Sequence, residues 1–347
     1  MDVERTVYRE DHEMFRTAVR RFLEREYLPH QAQWAASGTV DRRVWLKAGR
    51  EGLLCVTLPA EFGGGGDFGH AAVLSEEFAR AGICDRALSV HSDTIAPSLA
   101  LLGNDEQKCR WLPAICSGEA ILALAVSEAH SPLNTIPTYA VREGDHYRIN
   151  GSKVCIGNGP DCDLVLLACH IQGDEAAAGV SLILVETDRH GLSWACLQAG
   201  SEQPATTQLR LTDVRVPVAN LLGESGKGLD YLNQAWNREH LLSAVFAASQ
   251  LERLLERTLA QVPQPACNAP ARWDEESNSL ILARAKARAI ALRLMVDHFL
   301  DRRMSQLLSA EHVTLARLFA NETLSICTRE LARLYSDDNT RPNPLCA

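Results

Sequence analysis

Residues 213–228, DVRVPVANLLGESGKG, contain the transition that decides the fold. The segment begins with the edge of a predicted strand, DVRVP, and ends in a glycine-rich turn. From residue 229 to residue 259 the apolar residues recur at helical spacing, which predicts one long helix. A β-rich block therefore ends within this segment, and a helical region follows it.

The chain before this transition changes character near residue 120. Residues 1–120 carry apolar residues at helical spacing, with Asp105 capping the last predicted helix and a four-glycine loop within residues 58–66. Short β-rich segments follow from residue 121, separated by turn signals such as Gly144-Asp145 and Asn150-Gly151.

The chain after the transition is helical again. A proline-rich break at residues 261–270 separates the first long helix from two further long helices. Together these patterns predict an α+β protein with three domains. They are an N-terminal α-helical domain (1–120), a central antiparallel β domain that is either a barrel or a sandwich (121–225), and a short C-terminal α-helical bundle (226–347).

The composition is that of a soluble globular protein, with 46% hydrophobic and 23% charged residues among 347. The net charge of -9 argues against nucleic acid or an anionic membrane as a partner. No apolar stretch approaches the length needed to span a bilayer, and the N-terminus lacks the apolar core of a signal peptide. We therefore predict a cytoplasmic protein that binds neither nucleic acid nor membrane.

The eleven cysteines are scattered singly along the chain. None forms a C-x-x-C pair, and no histidine cluster accompanies them at zinc spacing. Several lie among apolar neighbours, as Cys55 and Cys155 do. We therefore predict free, small core residues in a reducing compartment and no metal site.

The run at residues 235–244, AWNREHLLSA, contains the carboxylate of Glu239. Its neighbours Trp236, Leu241 and Leu242 are apolar, and a partly desolvated carboxylate is a stronger base near neutral pH. Taken alone, the run favours an ordinary solvated helix charge, because glutamate is common on exposed helix faces.

Other polar residues have structural interpretations. The pair Glu76-Glu77 is predicted to lie on a helix face with one member partly buried. His91 and His130 are predicted to be core or loop histidines rather than ligands, and Lys227 to be a solvated turn residue.

Several runs in fixed order carry a resemblance to a known family, whereas the motifs of Rossmann folds, P-loops and α/β-hydrolases are absent from the sequence. The runs are LPAEFGG (58–64), VLSEEFARAG (73–82), GNDEQK (103–108), WLP (111–113), SGE (117–119), INGSK (149–153) and the segment 213–228. In order and spacing they resemble the acyl-CoA dehydrogenase superfamily over nearly the whole chain. The resemblance implies the same three-part fold, with an antiparallel β-barrel as the central domain.

The resemblance also implies a chemistry. In the family a glutamate removes the α-proton of an acyl thioester while the β-hydrogen leaves as hydride to FAD. Glu239 falls on the family's helix position for this base, with Trp236 and His240 beside it as substrate-binding residues. The family's other base position lies in a C-terminal loop beyond the last residue, Ala347.

The implied protein is an FAD-dependent oxidoreductase of CH-CH donors in fatty acid metabolism. Its implied partners are an acyl-CoA or acyl-carrier-protein thioester and an electron-accepting flavoprotein. The family's dimers and tetramers imply that it assembles as a homodimer or homotetramer.

The FAD-binding positions implied by the resemblance are Ser127, Cys155, Gly157 and Asn158. Cys155 stands where the family has a tryptophan that packs on the flavin, and Gly157 where it has a threonine. Leu133 replaces a serine that contacts the pyrophosphate, and an apolar side chain cannot donate that hydrogen bond.

Two further dinucleotide motifs of the family are not matched. An R-x-x-F-G motif is lacking near residues 264–268, and two acidic residues occupy the G-G-x-G region at 334–338. These departures predict FAD binding that is weak, shared with a partner subunit, or lost.

Three hypotheses follow. The first is a dehydrogenase that acts with a homologous subunit, which supplies the missing FAD contacts. The second is a complete flavoenzyme with a backbone-dominated FAD site, or a related flavin monooxygenase for which Glu239 is dispensable. The third is a flavin-deficient homologue that keeps the fold as an acyl-binding or assembly module.

Overall fold

The computed structural model describes residues 5–37, 39–84, 87–129, 131–173, 179–197, 206–261 and 275–336. Helices precede and follow a central sheet, in the predicted order. The α-helices of these ranges are α1 (Glu10–Phe22), α2 (Gln31–Ser37), α3 (Arg42–Arg50), α4 (Phe68–Ala81), α5 (Ala87–Ser89), α6 (Ala96–Leu102), α7 (Asp105–Ser117), α8 (Gly228–Gln261), α9 (Glu275–Met304) and α10 (Ala310–Ser336).

The ends of α7 illustrate how the sequence sets the helix boundaries. Asn104, rather than the predicted Asp105, is the N-cap, and its side chain accepts the N–H of Gln107 at 2.8 Å. The Gln107 side chain accepts the Asn104 N–H in return, so that two donors of the first turn are satisfied. Gly118 ends the helix at φ 77°, a conformation that glycine adopts without strain.

The central sheet contains the strands β1 (Leu122–Ala125), β2 (Tyr139–Glu143), β3 (His146–Lys153), β4 (Leu164–Gln172), β5 (Val180–Glu186), β6 (Leu192–Leu197), β7 (Thr206–Pro217) and β8 (Leu221–Leu222). Its strand order is β6-β7-β3-β2-β4-β5-β8, with β1 paired to β4. Most pairs are antiparallel, as predicted, but β4 runs parallel to both β1 and β2. Parallel neighbours need long crossovers, and the residues between β1 and β4 supply one.

Of the two turns that the sequence predicts within the sheet, only one is present in the structure. Gly144-Asp145 forms the predicted turn between β2 and β3. Asn150-Gly151 does not form a turn, because β3 continues through it and the register with β7 shifts there instead. A Cβ on Gly151 would lie 2.3 Å from Oγ1 of Thr138, so only glycine fits this irregularity.

The chain divides into two compact units. One comprises the described residues of Met1–Leu23, Asp67–Cys84 and Glu239–Ala347, and the other those of Glu24–Gly66 and Asp85–Arg238. The sheet lies wholly in the second unit. The predicted domain boundaries at residues 120 and 225 stay a prediction.

A buried ion-pair network stabilises the first unit. Glu76, fully buried, accepts hydrogen bonds from Arg5 at 2.7 Å, Arg16 at 2.8 Å and Arg293 at 3.0 Å. Arg16 also donates to Glu77 at 2.8 Å. The prediction that only one member of this pair is partly buried is wrong, because both carboxylates are buried among arginines.

In the second unit, the buried His91 connects its own helical segment to α7 and to β1 by hydrogen bonds. Its Nδ1 accepts the N–H of Leu122 at 3.1 Å, so its Nε2 carries the proton and donates to the Ile115 carbonyl at 3.1 Å. Burial lowers the pKa of His91 to about 4. The prediction of a core histidine is confirmed, whereas His130 lies outside the described residues.

No helix in the described part of the chain is long and apolar enough to cross a membrane. The cytoplasmic location stays a prediction.

Candidate functional site

Glu239 lies within α8, 11 residues after its first residue, Gly228. The carboxylate residue is half-buried, and the next turn of the helix begins with the buried Leu241 and Leu242. Trp236 precedes Glu239 by three positions, which places the two on neighbouring points of the helix surface. His240 is half-buried beside it.

The glycine-rich turn before α8 positions the start of this helix. The Gly226 N–H donates to the Ser181 hydroxyl on β5 at 2.9 Å. A Cβ on Gly228 would lie 2.7 Å from the carbonyl oxygen of Val180, so this close approach requires glycine. Farther along α8, Arg238 hydrogen-bonds to the Thr57 hydroxyl. These contacts fix the helix turn that leads to Glu239.

The end of β3 brings Ser127 and Cys155 together. The N–H of Val154 donates to the carbonyl oxygen of Ser127 at 2.9 Å, so the residue after Val154 lies beside Ser127. Both Ser127 and Cys155 are exposed. Two of the four predicted FAD-binding residues, Ser127 and Cys155, therefore lie side by side at the end of β3. We call this part of the surface the flavin edge.

A buried ion pair holds this edge. Lys153, the last residue of β3, is fully buried and donates to the Glu128 carboxylate at 2.6 Å and to the Val126 carbonyl at 3.1 Å. Burial lowers the pKa of Lys153, although the hydrogen bond to Glu128 acts in the opposite direction. Glu128 also accepts the N–H of Thr138 at 3.2 Å. The segment around Ser127 is therefore bonded to the last residue of β3 and to Thr138, which immediately precedes β2.

The other two predicted positions lie in the turn that follows β3. Asn158 has φ 64°, and its side-chain amide donates to the carbonyls of Ala87 at 2.9 Å and Leu122 at 3.0 Å. This anchor leaves Cys155 and Gly157 facing solvent. The prediction that the cysteines are core residues is wrong for Cys155, because its left-handed φ of 56° turns the chain outward at the end of the strand, and it is wrong for the exposed Cys84 and Cys109 as well.

Comparison with known proteins decides the family. The family models "Acyl-CoA dehydrogenase, N-terminal domain" and "Acyl-CoA dehydrogenase, middle domain" match residues 9–119 and 123–214. A long-chain specific acyl-CoA dehydrogenase of mouse mitochondria is 33% identical over 338 residues, which are 95% of this chain and 79% of that protein. The chain belongs to the acyl-CoA dehydrogenase family.

Solved structures confirm the acyl-CoA dehydrogenase fold. The crystal structure of an acyl-CoA dehydrogenase from Geobacillus kaustophilus superposes with a TM-score of 0.88 at 32% identity, covering 96% of this chain and 90% of that chain. A glutaryl-CoA dehydrogenase from Mycobacterium smegmatis, solved in complex with FADH2, has a TM-score of 0.84 at 21% identity, covering 98% of this chain and 88% of that chain. That second likeness shows the fold alone.

Ser127, Cys155 and Gly157 form an open surface at the position where the resemblance predicts the ring end of FAD. Apart from the two neighbouring residues of the chain, no atom lies within 4 Å of the point where a Cβ on Gly157 would be. Ser127 offers an exposed hydroxyl. Leu133 is half-buried and offers no side-chain donor. Of the other dinucleotide positions, residues 264–268 and 337–338 lie outside the described residues.

The sequence patterns did not predict the ion pair between Lys153 and Glu128. Its two residues lie 25 positions apart on different segments. The available signal was a lysine in a β-rich run, INGSK, which a buried strand tolerates only when the lysine is paired.

The sequence patterns also did not predict a cluster of three residues that are typical metal ligands. Asp11, His12 and His70 offer ligand atoms within 4.8 Å of one another. However, Nδ1 of His12 accepts the N–H of Arg9 at 3.1 Å, so its Nε2 carries the proton and donates to Asp67 at 2.8 Å. A metal ligand needs a lone pair at that nitrogen, and we therefore interpret the cluster as hydrogen-bonded helix caps.

Proposed function

We propose that this acyl-CoA dehydrogenase homologue catalyses the α,β-dehydrogenation of an acyl thioester, with Glu239 as the base that removes the α-proton. The observation that carries the proposal is the setting of Glu239: a half-buried carboxylate on α8, followed by the buried Leu241 and Leu242, in the family's base pattern. A carboxylate in hydrogen-bond reach of the substrate can accept its α-proton.

FAD, when bound, supplies the acceptor for the hydride that leaves the β-carbon. Trp236 and His240 would contact the acyl thioester, and their half-buried positions leave both side chains partly accessible. Ser127, Cys155, Gly157 and Asn158 would form the edge on which the cofactor ring rests. The buried Lys153–Glu128 ion pair supports this role by holding the edge in one conformation.

The proposed substrate is carried on CoA or on an acyl carrier protein, and the proposed electron acceptor is a flavoprotein. An assembly of identical subunits is supported by an exposed apolar stripe on α10, formed by Leu315, Leu318 and Phe319. A heteromer with a homologous subunit is supported by Leu133, which gives the cofactor no hydrogen-bond donor.

A flavin-deficient scaffold is the second candidate function. It is favoured by Cys155 and Gly157, which stand where the family has a tryptophan that packs on the flavin and a threonine. The exposed Cys155 provides no aromatic ring, and the open side of Gly157 provides no hydroxyl. Such a protein would keep the fold as an acyl-binding or assembly module.

The visible spectrum of the purified protein separates the two candidates. A dehydrogenase shows bound flavin, alone or after mixing with the homologous subunit, and its flavin bleaches when a saturated acyl-CoA is added. A scaffold is colourless, and its melting temperature does not rise when FAD is added.

Glu239→Gln tests the base. We expect the rate of acyl-CoA dehydrogenation to fall by about 10²–10⁴-fold with the flavin spectrum retained, because the amide cannot accept the α-proton. Glu256→Gln, at an exposed glutamate of the same helix, is the matched control and should keep full activity. Normal dehydrogenation by Glu239→Gln would remove Glu239 from the mechanism.

A further inference from the structure

Trp194 lies on β6, in register with the end of the strand that leads to the flavin edge. It pairs with Leu209 of β7, and Leu209 pairs in turn with Lys153, the last residue of β3. Residues paired across neighbouring strands project their side chains from the same face of a sheet. Leu209 and Lys153 are fully buried, whereas Trp194, at the end of this row, is half-buried and keeps part of its indole accessible.

The indole packs against the turn that follows β3. A Cβ on Gly159 would lie 2.9 Å from Cζ3 of Trp194 and 2.8 Å from Cγ2 of Thr207, which is closer than real Cβ atoms come to other atoms. Glycine at this position therefore lets the indole lie directly against the backbone of the turn. Two residues earlier, the same turn contains Gly157, whose open side belongs to the surface where the resemblance predicts the ring end of FAD.

The position of the indole matches the place of a missing ring. The resemblance implies a tryptophan at position 155 that packs on the flavin, and this chain has Cys155 there, exposed and without an aromatic ring. Cys155 follows Lys153 by two residues, and Trp194 is in register with Lys153. An aromatic ring is therefore absent from the end of β3 but present two strands away, against the same turn.

We propose that Trp194 supplies the aromatic surface for the flavin ring of FAD, in place of the ring that Cys155 lacks. This inference rests on the proposed flavin-dependent function and gives that function a cofactor-binding residue that the resemblance does not imply. Two flat ring systems in offset contact attract each other through their quadrupoles and the apolar area that they bury. The group that Trp194 recognises is the flavin ring, so the contact is the same for FAD and for FMN.

Titration of the full-length protein with FAD, followed by flavin fluorescence, tests the proposal. An indole in contact with a flavin ring quenches its emission, so flavin bound to the wild type should be strongly quenched. Trp194→Leu should weaken binding by roughly three- to tenfold, which is the size of one aromatic stacking contact, and the flavin that still binds should be brighter. Trp194→Phe keeps an aromatic ring and should lie between the two.

Two further variants separate a ring contact from a loss of packing. Cys155→Trp, added to Trp194→Leu, returns a ring to the end of β3 and should restore both the affinity for FAD and the quenching. Trp34→Leu removes a buried tryptophan of α2, whose ring lies 4.9 Å from that of Tyr27. It should lower the melting temperature but leave the affinity for FAD and the quenching unchanged.

The proposal is overturned if Trp194→Leu binds FAD as tightly as the wild type with equal quenching, or if the wild type binds no FAD. The first of these results, in a wild type that oxidises acyl-CoA, leaves the proposed function intact. Conversely, FAD that is quenched through Trp194 in a protein that does not oxidise acyl-CoA supports this inference and removes the proposed dehydrogenation.

Discussion

At the scale of the residue, Glu76 makes stability depend on pH. Burial acts to raise its pKa, but the hydrogen bond from Arg5 and the charges of Arg293, Arg5 and Arg16 outweigh burial and lower the pKa to about 2. This value lies below the ordinary 4.5. Ionised Glu76 therefore stabilises the folded state above about pH 4.5, and this stabilisation is lost as the pH falls towards about 2.

We expect Glu76→Gln to lower the free energy of unfolding at neutral pH by about 3 kcal/mol, because three arginines lose their buried counter-charge. The difference from the wild type should shrink as the pH falls from about 4.5 towards about 2, because protons bind Glu76 in the unfolded state before they bind it in the folded state. Urea unfolding followed by tryptophan fluorescence measures both effects. Glu322→Gln, at an exposed residue of α10, is the control. A difference that stays constant from about pH 7 to about pH 3 would contradict the assignment.

At the scale of the element, β3 depends on the buried Lys153–Glu128 pair at its end. We expect Lys153→Met to cost about 3–5 kcal/mol, because it leaves the Glu128 carboxylate buried without its partner. Lys47→Met, which breaks a surface ion pair with Glu26, should cost less than about 1 kcal/mol. The double variant Lys153→Met/Glu128→Gln should recover part of the loss. Additive effects in this cycle, measured by urea unfolding, would mean that the two residues are not coupled.

The same strand shows where local sequence stops predicting structure. Gly144-Asp145 and Asn150-Gly151 carry similar turn signals, and only the first is a turn. Asn150 instead pairs with β7, where its amide donates to the Asp213 carboxylate at 3.0 Å and its oxygen accepts the Asp213 N–H at 2.9 Å. A partner strand that is remote in sequence therefore decides between a turn and an irregularity.

At the scale of the whole molecule, the proposed oligomer can be tested on α10. Leu315, Leu318 and Phe319 are 51%, 55% and 41% exposed, and their spacing places them on one face of the helix. We expect Leu318→Asp to shift the mass measured by light scattering from a multiple of 38.1 kDa to that of one chain. Leu101→Asp, at a leucine of α6 that is 68% exposed, should leave the mass unchanged. A wild-type protein that is already monomeric, or a Leu318→Asp variant that stays assembled, would contradict the prediction.

The family and the order of helices and strands were predictable from local patterns, whereas the role of Glu239 as the base stays a prediction. Periodicity predicts α8 because 34 residues with one consistent pattern outweigh any single exception. The exposure of Cys155 was not predictable from its apolar neighbours in sequence. Those neighbours do not show whether the chain stays in the core or turns towards solvent, as it does here at φ 56°. The burial of Glu76 was not predictable either, since its partners Arg5 and Arg293 lie 71 and 217 positions away.

The sequence by itself determined the acyl-CoA dehydrogenase family, the succession of helices, sheet and helices, and the position of Glu239 on a long helix. Those features follow from the spacing of residues that are close in sequence, and this spacing is the same in every conformation of the chain. Only the tertiary structure decided that Lys153 pairs with Glu128 and that the predicted flavin edge opens to solvent. Such contacts join residues distant in sequence, and their energies depend on burial, which exists only once the chain has folded.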